Sequence, residues 1–209
     1  MRAKSLKLHH RAKGISLVVT LLMIVVVGAL AAAGARLAIS GERGARADRD
    51  RELAFQGAQA AIDDGTRDVM GLAGSTRGSD FCPSGMLGQP SSGCTATGAD
   101  RGKCAPTALE DQRAPSWLTV DWDAAGVPIG TFTGGAYYPT QGGVKSWLPG
   151  KTPVYVIETV RDFQEDVTTG FGDGGGMART VNYMITGVGY SSNTNSKVVL
   201  QQIVRKVKC

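Results

Sequence analysis

The sequence predicts an α+β protein, with a long N-terminal α-helix packed on a small antiparallel β-sheet and disulfide-stapled loops around them. Three observations carry that expectation. An uncharged apolar run at Ile15–Ala35 leads into a charged but helix-periodic segment ending near Met70. Segments rich in β-branched and aromatic residues concentrate after residue 152. Four cysteines, Cys82, Cys94, Cys104 and Cys209, flank Gly-, Ser- and Pro-rich stretches that show no sustained period.

The apolar run comes first. Leu, Ile and Val dominate its first half, and at about 1.5 Å per residue it makes a helix of about 30 Å, enough to cross a bilayer's hydrocarbon core. Arg2, Lys4, Lys7, Arg11 and Lys13 precede it, and the first acid is Glu42. The positive-inside rule keeps such an N-terminus in the cytoplasm and sends the C-terminal bulk across the membrane. Ala31–Ala33 can also be read as a signal-peptidase site, which leaves a secreted domain as an alternative.

Arg36–Met70 alternates acids and arginines without a block of one sign, and Glu42/Arg46 and Asp63/Arg67 are placed for i,i+4 contacts. Leu53, Gly57, Ala60 and Ala61 share a stripe, with Phe55, Ala58 and Ile62 beside it. Two readings follow: a solvated helix docked on its own domain, or the second half of one continuous helix from Ile15, about 80 Å long. Gly28, Gly34, Gly41 and Gly44 would weaken the middle of that helix by up to about 1 kcal/mol each, and a bend or melted turn near Gly41–Gly44 fits that weakness. The paired acids Asp63 and Asp64 read as solvated.

Gly71–Gln112 reads as a loop region. Trp117–Trp122 fits a short strand or a helical turn equally, and Tyr137, Tyr138 and Trp147 read as lid packing. Pro153–Phe163 alternates, with Val154, Val156 and Val160 on one face and Tyr155, Ile157 and Thr159 on the other. Thr180–Tyr190, the polar turn Ser191–Ser196 and Lys197–Val207 form a hairpin, with Val181, Tyr183 and Ile185 sharing a face.

Composition narrows the function. The net charge of +5 arises from five leader Lys/Arg; beyond residue 14 the chain carries 18 basic and 18 acidic side chains, so nucleic acid is not an expected partner. His9 and His10 are the only histidines. Without them the remainder has no Ser-His-Asp or Cys-His system and no His-ligated metal site. Catalytic residues, metal ligands and cofactors are therefore not expected. The cysteines have no C-x-x-C spacing, so disulfides in an oxidising compartment are expected rather than zinc. Of three connectivities, Cys82 with Cys94 or Cys104 is favoured, leaving the other to hold Cys209; closing that long loop is worth about 3–5 kcal/mol on the chain-entropy model. Asp173 in GFGDGGG, with Asp162, Glu165 and Asp166 nearby, lacks calcium-loop spacing and reads as a surface turn.

A short basic peptide, Gly14, then an apolar helix resembles the leader of type IV prepilins. The resemblance implies cleavage between Gly14 and Ile15 by prepilin peptidase and N-methylation of Ile15. Major pilins carry Glu at the fifth mature position, where this chain has Val19. A subunit without that carboxylate offers no docking charge to one ahead of it, which suits a tip or initiating position. The segment Arg51, Ala54, Phe55, Gln56, Gly57, Ala58, Gln59, Ala60, Ala61, Ile62 is similar to the R-x-x-A-F-Q-A-A-E-A-A-L motif of the PilX family of minor pilins, with Gly57 for Ala and Gln59 for Glu. Tyr155–Glu158 resembles that family's Y-V-I-E strand. Tyr183, Ile185, Thr186, Gly187, Gly189 and Val198–Gln201 resemble its terminal hairpin.

The resemblance implies a type IV pilin-like fold. Residues 1–14 would be the leader, 15–35 the transmembrane and filament-core helix, 36–70 its amphipathic continuation, and 71–209 an extracytoplasmic β-rich head. It implies a minor pilin that helps initiate pilus assembly in a tip complex, supporting twitching motility and adhesion. Expected partners are other minor pilins, the major pilin, prepilin peptidase, inner-membrane lipid, and a tip adhesin or surface receptor. The protein would sit single-pass in the inner membrane and then on the pilus. A type II secretion pseudopilin and a signal-anchored binding domain are the alternatives.

Overall fold

The computed structural model describes residues 15–82, 85–86, 88–106, 116–137, 149–160, 166–167, 178–192, 194 and 196–206. The chain forms two units, Met1–Asp48 and Arg49–Cys209. Among the described residues, helix α1, Ile15–Met70, is the one element of the first and the opening element of the second. After it come the short strands β1 (Phe81–Cys82) and β2 (Gly85–Met86), the single turn α2 (Ser116–Thr119), and strands β3 (Val127–Pro128) and β4 (Val154–Val160). A two-residue pair, β5 (Asp166–Val167) and β6 (Ala178–Arg179), precedes the long strands β7 (Val181–Tyr190) and β8 (Lys197–Lys206). The sheet order is β3-β4-β7-β8, antiparallel throughout. The α+β architecture is thus observed, with β3 as a fourth strand that the sequence did not announce.

Within α1, no break occurs at Gly41–Gly44: the helix is continuous from Ile15 to Met70. The expected melted turn is absent because glycine costs a helix only entropy, and flanking Ala, Arg and Leu, all good formers, outweigh it. The helix ends where its geometry demands. Gly71 adopts φ +68°, Leu72 N–H donates to Arg67 O and Gly71 N–H to Asp68 O, a paired cap that consumes two terminal carbonyls. Lys206 Nζ donates to Val69 O at 2.8 Å and to Gly78 O at 2.6 Å, placing a cation at the negative end of the helix dipole.

The sheet-bound half of α1 lies on β7. Ala54, Ala58, Ala61 and Ile62 are buried there, with Tyr155, Ile157, Val181, Tyr183 and Ile185 forming the core beneath. The approach is close because of two glycines in β7. A Cβ at Gly189 would lie 2.0 Å from Ala54 O, and one at Gly187 2.7 Å from Ala58 O. The family-like G-x-G pattern of the hairpin therefore has a packing cause: it admits the helix backbone to the sheet. On the opposite face Val154, Val188 and Tyr190 pack with Trp122 and Val199. The alternation read from the sequence holds on β4 and β7 alike.

Two expectations are corrected. Cys94 is bonded to Cys104, not to Cys82. The two are partners in an antiparallel bridge, whose ten-residue loop returns beside itself through Thr95 N–H to Lys103 O and Gly102 N–H to Thr95 O. Local backbone pairing thus sets these two side by side. Cys82 is also disulfide-bonded; Cys209 lies outside the described residues. Asp64 is not solvated: it is 5% exposed and accepts hydrogen bonds from Gly130 N–H and the Thr133 hydroxyl, whereas Asp63 is exposed. The Trp117–Trp122 ambiguity resolves to a helical turn at Ser116–Thr119 followed by an irregular stretch. Tyr138, Trp147, Asp162, Glu165 and Asp173 lie outside the described residues, and Tyr137 is half-buried.

Candidate functional site

Two features of α1 stand out, one in each unit. In the first unit the apolar run is bare. Leu17, Val19, Leu22, Ile24, Val27, Leu30 and Leu37 are all exposed, and no residue of the most apolar stretch of this helix is buried. Exposing that many large apolar side chains to water is untenable for a soluble helix, so lipid or other helices must cover them. Val19 is 50% exposed on this surface. Thr20 returns its hydroxyl to Leu17 O, hiding its polarity inside the helix. Gly28 and Gly34 have nothing within 4 Å of the position a Cβ would take, so a neighbouring helix can approach there. Gly14 lies outside the described residues, and Ile15 opens the helix.

In the second unit α1 is fastened by a buried polar hub near its C-terminal end. Asp68 is fully buried and receives Arg77 Nε at 2.8 Å, Arg77 Nη2 at 2.6 Å and the Tyr155 hydroxyl at 2.8 Å. Arg77 Nη1 donates onward to Ala99 O and Arg101 O, and its guanidinium lies 3.6 Å from the centroid of the Phe132 ring. One planar fork thereby ties the helix, the disulfide loop and the β3–β4 side of the sheet. Lys103, also fully buried, bonds Asp80 at 2.8 Å and Asp100 at 2.6 Å. None of Asp68, Arg77, Lys103 or Lys206 was singled out from the sequence. The one available signal was phase: Ala61, Asp64 and Asp68 recur at i, i+3 and i+7 on the buried side.

The same phase divides the Arg51–Ile62 motif. Ala54, Gly57, Ala58, Ala61 and Ile62 face the sheet, while Arg51, Phe55, Gln56 and Gln59 are exposed.

A family comparison meets this geometry at both ends of the chain. Residues 13–63 match the model described as PilX N-terminal, and residues 79–206 match that described as type IV pilus assembly protein PilX C-term. The chain belongs to the PilX family. No curated protein and no solved structure matches it. Membership assigns it a role in type IV pilus assembly alongside other pilus components, in a family of structural pilins rather than of known enzymes. The apolar helix fits a single-pass membrane anchor in such a protein.

Burial in this PilX-family head also sets its response to alkali. Burial raises the Tyr155, Tyr183 and Tyr190 hydroxyls above their ordinary value of 10.0, Tyr155 with help from the Asp68 carboxylate. The folded state holds these protons after the unfolded chain has released them. Their stabilisation is complete below pH 10.0 and is lost as pH rises above it. Lys206 runs the other way: burial lowers it, so its cost is relieved as pH climbs toward 10.5. Tyrosinate absorbance of the three is expected to appear only in a cooperative unfolding step above pH 10; a gradual titration in the folded state would contradict this.

Proposed function

We propose that this PilX-family protein is a minor pilin that helps initiate pilus assembly within a tip complex of minor pilins. The observation that carries the proposal is the exposed apolar stretch of α1 in a chain matched at residues 13–63 and 79–206 by PilX models. Prepilin peptidase removes residues 1–14 after Gly14, and Ile15 becomes the methylated first residue. The basic leader faces the cytoplasm and the head the periplasm, later the pilus surface. The 15–35 helix holds the subunit in the inner membrane until its apolar surface trades lipid for neighbouring pilin helices, and residues 36–70 carry that helix into the 71–209 head. Val19 provides no carboxylate for a subunit ahead, which supports the tip position and contact with the major pilin only below. Twitching motility and adhesion, through a tip adhesin or surface receptor, follow from that place.

The test is the intact mass and N-terminal sequence of the protein recovered from native membranes. A chain starting at methylated Ile15, with Gly14→Ala left uncut, is expected. An intact Met1 start in cells with active prepilin peptidase would leave only a signal anchor, and a start beyond Ala33 a secreted domain. A smaller effect is expected at Phe55, 44% exposed within the family motif. Phe55→Ala should lower recovery of partner pilins while shifting the melting temperature little, since surface truncations change stability by about 0.5 kcal/mol.

A further inference from the structure

The four-stranded sheet has two unlike edges. On one side β4 is closed. Val127 and Pro128 pair with Tyr155 and Val154. Beyond them Cys104 N–H donates to Ile157 O and Ile157 N–H to Gly102 O, both at 2.8 Å. The Cys94–Cys104 disulfide and the buried Lys103 ion pairs hold that loop against the strand. On the other side β8 pairs with β7 through all ten residues, in one unbroken register, and carries no strand on its outer side among the described residues. Gln201, Gln202, Ile203 and Arg205 are exposed there, Ile203 at 53%.

Proteins blunt such edges with short strands, bulges, prolines or charges in mid-strand. β8 is neither short nor interrupted by a bulge or proline; its cations, Lys197, Arg205 and Lys206, sit at its ends, and Lys206 is turned inward to the helix terminus. A long, regular edge with no strand beyond it among the described residues recruits another strand through its main-chain groups.

We propose that the β8 edge docks an extended segment of another pilus subunit, added to the sheet as a fifth strand. This rests on the pilus-assembly reading above. Lys197, Val199, Gln201, Ile203 and Arg205 share one face by alternation. They read cation, apolar, polar, apolar, cation. The incoming strand accordingly carries acids at both ends and apolar residues between, at every second position. A second copy of this chain fits poorly. The two-fold register that sets Val199 against Ile203 also sets Lys197 against Arg205 at both ends, and directly opposed like charges destabilise a sheet.

The experiment uses the full chain in cells with an intact pilus machinery. A photo-crosslinking residue is placed at Gln201, and another at Leu30 on the apolar helix, and the joined peptides are identified by mass spectrometry. Gln201 is expected to capture one pilus subunit at a segment with the acid–apolar alternation. Ile203→Lys in the same chain should cut that yield at least tenfold without moving the melting temperature. Capture of the chain's own β8, capture of no pilus subunit at Gln201, or a yield indifferent to Ile203→Lys would overturn the inference. Should Ile203→Lys lower the melting temperature, the Gln201 capture in the otherwise natural chain decides alone. The Leu30 site separates the two readings: subunits captured at Leu30 but not at Gln201 sink only the edge, whereas capture at neither sinks the pilus reading itself.

Discussion

Arg77→Met is expected to destabilise the Arg49–Cys209 unit by about 3–5 kcal/mol, the cost of leaving one member of a buried ion pair behind. The loss is large because Arg77 has four acceptors and a ring in its reach: both Asp68 oxygens, Ala99 O, Arg101 O and the Phe132 face. Removing it strands Asp68, fully buried, with the Tyr155 hydroxyl as the remaining donor from this hub. Lys cannot substitute, because one ammonium does not reproduce a planar fork holding two carbonyls and a carboxylate together. The double variant Asp68→Leu/Arg77→Met should lose less than Arg77→Met alone, since it buries no uncompensated charge. Urea unfolding of the natural chain and the two variants in detergent measures all of this. A loss below about 1 kcal/mol for Arg77→Met would mean that water reaches Asp68 and that the hub does not fasten the helix.

The second large effect concerns the cysteines. With Cys94 and Cys104 joined and Cys82 bonded, Cys209 is the one cysteine of four left to partner Cys82. A non-reducing peptide map is expected to link those two. On the chain-entropy model the 82–209 loop contributes about 5 kcal/mol and the 94–104 loop about 3 kcal/mol. Cys209→Ser should therefore cost more than Cys94→Ser in the same urea titration. The reverse order would show that the short loop acts mainly through the native state, by holding Gly102–Cys104 on the edge of β4.

Much of this was legible because periodicity and composition are local. The uncharged helical run Ile15–Ala35, the buried Gly57, Ala58, Ala61 and Ile62 of the expected stripes and the alternation on β4 and β7 each follow from one element's own spacing, whereas Phe55, expected beside that stripe, is exposed. The processing residues Gly14 and Ile15 and the Val19 position were read from resemblance, and their roles await the N-terminal sequence. The hub was not legible. Asp68, Arg77 and Tyr155 are separated by 9 and 87 residues in their contacts, and no motif at such distances marks them. Asp63 and Asp64 show the limit most sharply. They are adjacent and identical in type, yet a rotation of about 100° along the helix puts one in water and the other under Gly130 and Thr133.

By itself the sequence determined the elements: a helix apolar enough for lipid, its amphipathic continuation, and a terminal hairpin of β-branched and aromatic residues. Those are properties of neighbours a few residues apart, and local sterics and hydrophobic period dictate them. Only the tertiary structure decided which cysteines join, which charges are buried, and which sheet edge is closed. Each of these depends on segments far apart in the chain meeting in one place. The free energy of a buried charge or a paired edge is set by what it meets there, and the residue's own type does not reveal it.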